Sequence, residues 1–421
     1  MMPIAPASYL GKRSHRSGSA YVMVLASSVV VTAITLGGLA LNRVQRDAYQ
    51  AQEDLRRARL AAASGLEAST QILSPTLEAR KQYANPGDLP KLIDDALLSY
   101  EYSDPIDDDL FDDFAQPIEV TVEARRGSAR QMMQGRLTPR MTPIGMAQYG
   151  LAATGAVKLT STTVDAPKGI YSGAGVDATG ATIAAPVFSV GNSTGGAFQS
   201  TVRQVNAASA PDISDPTGLF ASATRISYNS LPGGNIVNVV ISPSSNPYGA
   251  QTDAKGIYLI DCEGKRLRIE NTRIVGTLIV LNPRSDTDLR SGVNATTYDP
   301  RLPAIVWVGN LTFSGSGSDL LESQAGTTLN PPGTPYMGVS DTDQLDSYPS
   351  LVTGAMIVLG DLTINGTLSV DGRVVVTGNV LASSGAIRVR PQPDDVVPDW
   401  LHEIDGFDLM PGQTRRVVDA P

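Results

Sequence analysis

Few side chains in this chain could do chemistry, and their spacing limits what each could do. The densest run is acidic: SDPIDDDLFDDF carries Asp104, Asp107, Asp108, Asp109, Asp112 and Asp113 in one short loop. Clustered carboxylate oxygens suit a hard cation such as calcium. The run lacks the alternate ligand spacing, central glycine and distal glutamate of an EF-hand loop, so a solvated loop is expected and no metal ligand is assigned. Asp261, Asp361, Asp371 and Arg273 fall in strand-rich text. Converging on one outer face, they would supply the carboxylates and cation of a polysaccharide lyase or hydrolase. Turn and outward positions also favour Asp, and that structural reading is preferred, which leaves no catalytic residue assigned. Cys262 is the only cysteine, which excludes an intramolecular disulfide and a cysteine metal cluster. Its neighbours Asp261 and Glu263 disfavour a thiolate, so it reads as an inert small residue. His15 and His402 are the only histidines, and His15 lies in the N-terminal tail. Any mechanism needing two histidines in the body is therefore excluded. There is no HExxH, no GxSxG, no Walker loop and no GxGxxG entering a helix. Gly315-Ser316-Gly317 has no helix after it, so neither a phosphate cradle nor a cofactor is expected. The chain does not read as an enzyme.

Composition points the same way. Gly, Ser, Thr, Asn and Pro are plentiful across the 421 residues, which suits many short strands joined by tight turns. The formal charge of −9 argues against a nucleic-acid partner, because no basic stretch could neutralise a phosphate backbone.

The elements that must position these residues begin with Ala20–Leu41, AYVMVLASSVVVTAITLGGLAL, which carries no charge. As a helix it would be roughly 33 Å long, enough to cross a hydrocarbon core of about 30 Å. A buried soluble helix would rarely run so far without a polar face. Lys12, Arg13 and Arg16 precede the run, as in a cleaved secretory signal, but such a signal has a shorter apolar core. A retained membrane anchor is expected. Asn42–Leu73 follows without proline and with one glycine, Gly65. Leu55, Ala58, Ala62, Leu66, Ser69 and Leu73 form a narrow small-residue stripe at three-to-four spacing. Ser74-Pro75 ends the pattern. Anchor and stalk together predict one helix of about 54 residues, on the order of 80 Å. The stripe suits close packing against another helix, or against the chain's own globular part.

A basic tail, a glycine, an apolar span and a long alanine-rich helix, over Lys12–Leu73, resemble the N-terminus of type IV pilin-like proteins. The nearest likeness is to PilX-type minor pilins and to the pseudopilins of type II secretion. The resemblance implies that a prepilin peptidase cuts after a glycine before the apolar run, and Gly18-Ser19 is the matching bond. Pilins usually carry a glutamate at the fifth mature position; here Met23 stands there. Basic residues flank both ends of the span, with Arg43, Arg46, Arg56 and Arg57 beyond it, so charge barely orients it. The resemblance places the tail in the cytoplasm.

Next, LPKLIDDALLSYEY is expected as an amphipathic helix, and PIEVTVEARRGSARQMMQGRLTP as two strands turning at Arg126-Gly127-Ser128. From Ala153 the chain breaks into short β-prone bursts. Gly354, Gly360, Gly366, Gly372 and Gly378 recur every six residues. Met356, Leu362, Leu368, Val374 and Val380 follow two places after each glycine, and Val358, Ile364, Val370 and Val376 four places after the first four. A meander turning at Asn365-Gly366 and Asp371-Gly372 would leave strands too short to pair well. A β-solenoid instead makes each unit one side of a coil, with glycine at the corner. The period resembles the core of bactofilin-type proteins. Ser200–Gly256 and Pro283–Leu302 are expected as long loops, Glu322–Ser350 as an insertion lying across the body.

The expected fold is mainly β: a long N-terminal transmembrane and stalk α-helix followed by a β-solenoid (β-helix) with long loop insertions. Its parts are a basic leader tail (1–19), a transmembrane helix (20–41), a stalk helix (42–73) and a connecting α+β segment (74–152). The solenoid (153–390) and a C-terminal cap over its open end (391–421) complete it. The expected function is that of a membrane-anchored, pilin-like structural or assembly protein of the bacterial cell envelope. It would cross the cytoplasmic (inner) membrane once, with the N-terminus cytoplasmic and the C-terminal domain extracytoplasmic. Expected partners are the lipid bilayer and, through the stalk helix, pilin-like or secretion-system subunits. The alternative is an anchored polysaccharide-active or polysaccharide-binding β-helix protein.

Overall fold

A computed structural model describes residues 17–72, 91–106, 110, 116–211, 218–249, 251–392, 394 and 396–417. One helix, α1, runs unbroken over Ser17–Ile72. In its apolar half, Ser27, Ser28, Thr32 and Thr35 donate to the carbonyls of Val24, Leu25, Ser28 and Val31.

The second half of α1 lies on an antiparallel sheet of β1 (Leu92–Ile93), β2 (Ala96–Ser103), β3 (Ile118–Arg126) and β4 (Ala129–Pro143). The helix expected over LPKLIDDALLSYEY is instead the hairpin of β1 and β2. Asp94 and Asp95 both take positive φ, 47° and 60°, as a two-residue turn of type I′ requires. Ala96 and Leu98 face the core while Leu97 and Ser99 face out, and β2 pairs along its length with β3. Register with β3 overrides the helical pattern. The second hairpin is as expected, with Arg126 opposite Ala129 and Ile118, Val120 and Val122 buried. Two strands from the far end of the chain, His402–Leu409 and Arg415–Val417, complete the sheet on the other edge of β4.

Everything between β4 and His402–Leu409 is therefore an insertion into this sheet, and it holds the solenoid. Its strands pair in parallel, coil upon coil. Val352 pairs with Val370, Met356 with Val374 and Leu362 with Val380, so partners stand eighteen residues apart and three six-residue units make one coil. All nine inward positions from Met356 to Val380 are buried. Glycine is required where corners stack. A Cβ on Gly366, at φ +133°, would lie 1.9 Å from the Gly315 carbonyl oxygen, and one on Gly385 would lie 2.1 Å from that of Gly366.

Chain order and spatial order differ. The chain enters the stack in the middle, at Leu151–Ala153, and winds to one end at Val202–Gln204. It re-enters at the other end with Thr224–Arg225, beside Ile257–Asp261, and winds back. The last coils, Leu362–Val376 and Val380–Arg390, then stack on Leu151–Ala153, Val157–Leu159 and Thr162–Asp165. One ladder records the junction: Leu259, Ile279, Val306, Ile357, Val375, Ala152, Tyr171 and Phe188 pair in that order. These residues point outward, yet most are buried under Ile144, Met146, Leu219, Trp400 and Leu401. A sheet covered on both faces explains why runs such as TLIVL and AMIVL do not alternate.

Two further expectations change. The 200–256 and 283–302 stretches contain coil strands, including Asn235–Ile241 and Val293–Thr296, rather than loops alone. The 322–350 stretch is an insertion as expected, tied at its base by Leu320–Leu321 pairing with Ser347–Tyr348. Among the described residues, the C-terminal segment caps no open end. Trp400 and Leu401 cover the flank, and the Ile144 amide bonds the Leu401 carbonyl at 2.9 Å, clasping entry to exit.

Stacked corners give a stability test. Gly366→Ala should lose about 3 kcal/mol or more through overlap with the neighbouring coil. Gly264→Ala, also at positive φ but with nothing within 4 Å, should lose only about 1–2 kcal/mol. Urea unfolding of the two variants compares them directly; equal losses would contradict the stacking.

Candidate functional site

Helix α1 divides into an uncovered half and a covered half. Val22, Val29 and Leu36 are 66%, 59% and 60% exposed, and none of the described residues covers the apolar run. The helix is long and apolar enough to cross a membrane. Gly18-Ser19 sits in its first turn, which begins at Ser17; residues before that lie outside the described part.

Beyond Asp54 the small residues find their partner inside the chain. Ala58, Ala61, Ala62, Leu66 and Ser69 are buried against Ile118, Val120, Val122, Leu137 and Phe407. Gly65 allows the closest approach: a Cβ there would lie 2.9 Å from Val122 Cγ1. Of the two packings this stripe suits, the one against the chain's own globular part is found, because the chain's own sheet fills it from Ala58 onward. Leu55 remains 43% exposed, and Leu73 lies outside the described residues. The same spacing continues towards the N-terminus through Leu41, Val44, Ala48, Ala51 and Leu55, and that part of the stripe is uncovered.

Charge marks the edge of the sheet. Arg126, in the β3–β4 turn, pairs with Asp54 of α1 at 3.2 Å. Nearby, hydrogen bonds from Arg125 and then Arg130 hold the Glu123 carboxyl below its ordinary range, against the opposing effect of burial. The Asp54 contact is thirteen residues past Leu41, so the globular part begins roughly 20 Å beyond the apolar run.

The four residues weighed for glycan chemistry are not brought together. Asp261 Oδ1 accepts from the Glu263 amide at 3.0 Å and Asn282 Nδ2 at 3.1 Å. Asp361 Oδ1 accepts from the amide and side chain of Asn379 at 2.7 and 3.0 Å. Both bind one coil corner to the next, about 14 Å apart at ordinary strand spacing. Asp371 lies on another edge, between Thr353 and Arg390. Arg273 is buried under the 322–350 insertion, donating to the carbonyls of Leu329, Thr334 and Pro335 at 2.6–2.8 Å. Cys262 is buried, and burial followed by the Asp261 charge pushes its thiol up to about 12, as expected of an inert residue. Asp104 is buried and accepts from the Ile106 amide at 2.6 Å; Asp107, Asp108, Asp109, Asp112 and Asp113 lie outside the described residues, as does His15. His402 Nδ1 lies 3.0 Å from the Pro398 carbonyl. A group not foreseen, Glu322, Asn330, Asp341, Asp343 and Asp346, converges inside the insertion. Its only signal in the sequence is the spacing of acids in DTDQLD.

No protein-family model matches this sequence. No curated protein matches it either. The solved structure of the competence-associated pilin ComZ from Thermus thermophilus is similar at 12% identity, over 87% of this chain and 98% of that one, with a TM-score of 0.26. A TM-score that low carries no argument.

The division of α1 can be tested by charge insertion. Ala62→Glu should destabilise the sheet domain by about 3 kcal/mol or more, since the carboxylate has no partner there. Ala48→Glu, on the uncovered part, should stay within about 0.5 kcal/mol. Thermal melts of the detergent-solubilised protein distinguish them; an indifferent Ala62→Glu would refute the packing.

Proposed function

We propose that this chain is a membrane-anchored, pilin-like structural subunit of the bacterial cell envelope, acting by helix packing and by display of its solenoid. The supporting observation is the division of α1: an uncovered apolar half joined without a break to a half embedded in an antiparallel sheet. In this reading the apolar half holds the bilayer of the cytoplasmic membrane, with the tail inside and the sheet and solenoid outside. Pilin-like or secretion-system subunits meet the chain along Leu41, Val44, Ala48, Ala51 and Leu55. Ala58 and Ala62 take no part, because the chain's own sheet occupies them. Gly18-Ser19 is the bond a prepilin peptidase would cut. An anchored polysaccharide-active solenoid is the weaker reading, since Asp261, Asp361, Asp371 and Arg273 serve separate structural contacts.

Single-cysteine crosslinking tests the reading, because the native Cys262 is buried. In native membranes Ala48→Cys and Ala51→Cys should crosslink to neighbouring helices, whereas Ala62→Cys should not. Equal crosslinking at Ala62, or none at Ala48 and Ala51, would sink it. Mass spectrometry of the terminal peptide should find a chain beginning at Ser19; an intact N-terminus would remove the pilin export route. Val29→Asp with Val31→Asp should abolish membrane association, and unchanged partitioning would refute the anchor.

A further inference from the structure

The insertion at 322–347 is tied down at its base and ends in a strained apolar turn. Arg273 donates to the carbonyls of Leu329, Thr334 and Pro335, and its guanidinium lies over the rings of Tyr336 and Tyr348 at 5.2 and 5.6 Å. Those two rings meet edge to face at 4.8 Å, and the hydroxyls of Thr334 and Ser242 are 2.7 Å apart. On this base Tyr336 and Val339 exchange amide-to-carbonyl bonds, both 2.9 Å, which closes a two-residue turn over Met337 and Gly338. Their φ values are 49° and 83°, the positive angles that a type I′ turn requires at both places. Glycine takes such an angle freely and asparagine at small cost. Methionine does not, because its Cβ crowds the following carbonyl.

Nothing within the chain offsets this strain. Met337 is 87% exposed, Val339 60%, and Leu345, on the returning limb, 83%. Met337 and Leu345 are the most exposed large apolar side chains among the described residues. A tip that had only to reverse the chain would carry Asn-Gly and polar flanks. Here the residue at the tip neither suits the turn nor is buried, and an outlier held by its surroundings points to a function.

Charge says what covers the tip. No Lys or Arg occurs from Leu302 to Gly372, and the insertion carries Glu322, Asp341, Asp343 and Asp346. Asp343 is exposed, four residues past Val339. These carboxylates would repel the anionic headgroups of a membrane surface, and equally the same tip on a second copy. A protein surface with an apolar hollow and a basic rim matches both features. An unbranched, adaptable methionine suits such a hollow.

We propose that the Met337–Val339 turn is a docking tip for a partner protein that offers an apolar pocket edged by lysine or arginine. Met337 enters the pocket, and Asp341 and Asp343 meet the basic rim. The tip goes beyond display of the solenoid in general and does not depend on α1 being an anchor.

The test places the photoreactive residue p-benzoylphenylalanine at Ser340, exposed beside Val339, in the full chain in its native cell. One protein adduct is expected, and mass spectrometry should locate the crosslink in a segment with Lys or Arg among apolar residues. Met337→Asn should lower the yield about tenfold or more. Asp341→Asn combined with Asp343→Asn should lower it as well. The purified Met337→Asn chain should melt at the same temperature or higher, because asparagine tolerates the left-handed angle. A lower melting temperature would show that Met337 serves the fold, and would overturn the proposal. So would an adduct to lipid or to a second copy of the chain, an adduct segment without basic residues, a yield unchanged by either variant, or no adduct at all. None of these results bears on the crosslinks from Ala48 and Ala51, which read the stalk separately.

Discussion

Parallel backbone pairing between coils is the constraint on which the body depends. Each coil must present its amides and carbonyls to the coils above and below, at about 4.8 Å. Side chains at the corners would hold the coils apart, so glycine stands where one corner lies on another, as with Gly315, Gly366 and Gly385. Where a corner carries a polar residue, its side chain becomes part of the ladder. Asn310, Asp361 and Asn379 bond from coil to coil, and Asn379 passes the ladder across the junction to the Ala156 amide at 2.9 Å. Asp261 and Asp361, two of the residues weighed for glycan chemistry, take part in this pairing.

The order in which the chain fills the stack decides how the solenoid is mounted. Because it is entered and left in the middle, both connections emerge on one flank, where Ile144 and Leu401 are hydrogen-bonded to each other. From there β4 and His402–Leu409 run on as neighbours in the antiparallel sheet. A body of some 250 residues thus hangs from two adjacent strands without breaking the pairing that holds α1 in place. The flank is apolar for the same reason. The Leu259-to-Phe188 ladder must be covered, and Tyr149, Leu219, Phe220 and Trp400 lie on it, with Phe220 and Trp400 edge to face at 5.1 Å.

Much of this was legible in the residues themselves. The apolar run and its alanine-rich continuation specify one helix, because nothing from Ala20 to Leu73 breaks it. The six-residue glycine period specifies one side of a coil per unit, while the eighteen-residue offset between paired strands, which makes three sides, appears only in the structure. The burial of Met356, Val358, Leu362 and Ile364 follows from their spacing alone. The residues decided less where a local pattern has two solutions. Leu97 and Leu98 satisfy a helix stripe as well as a strand, and only the waiting edge of β3 chooses the strand. The alanine stripe suits a partner helix as well as a sheet, and only the presence of Val122 and Leu137 opposite Ala58 to Ser69 decides.

The sequence by itself determined the periods: the length of α1, the six-residue unit and the residues that face the solenoid axis. These depend on neighbours a few places apart, whose geometry is set by the backbone. Tertiary structure alone decided which distant segments meet. Val375 stacks on Ala152, C-terminal strands close the sheet begun by β1 to β4, and Glu322 meets Asp341 and Asp343. Each joins residues whose separation along the chain carries no period. Their pairing is chosen by the free strand edges and apolar faces that remain once the local elements have formed.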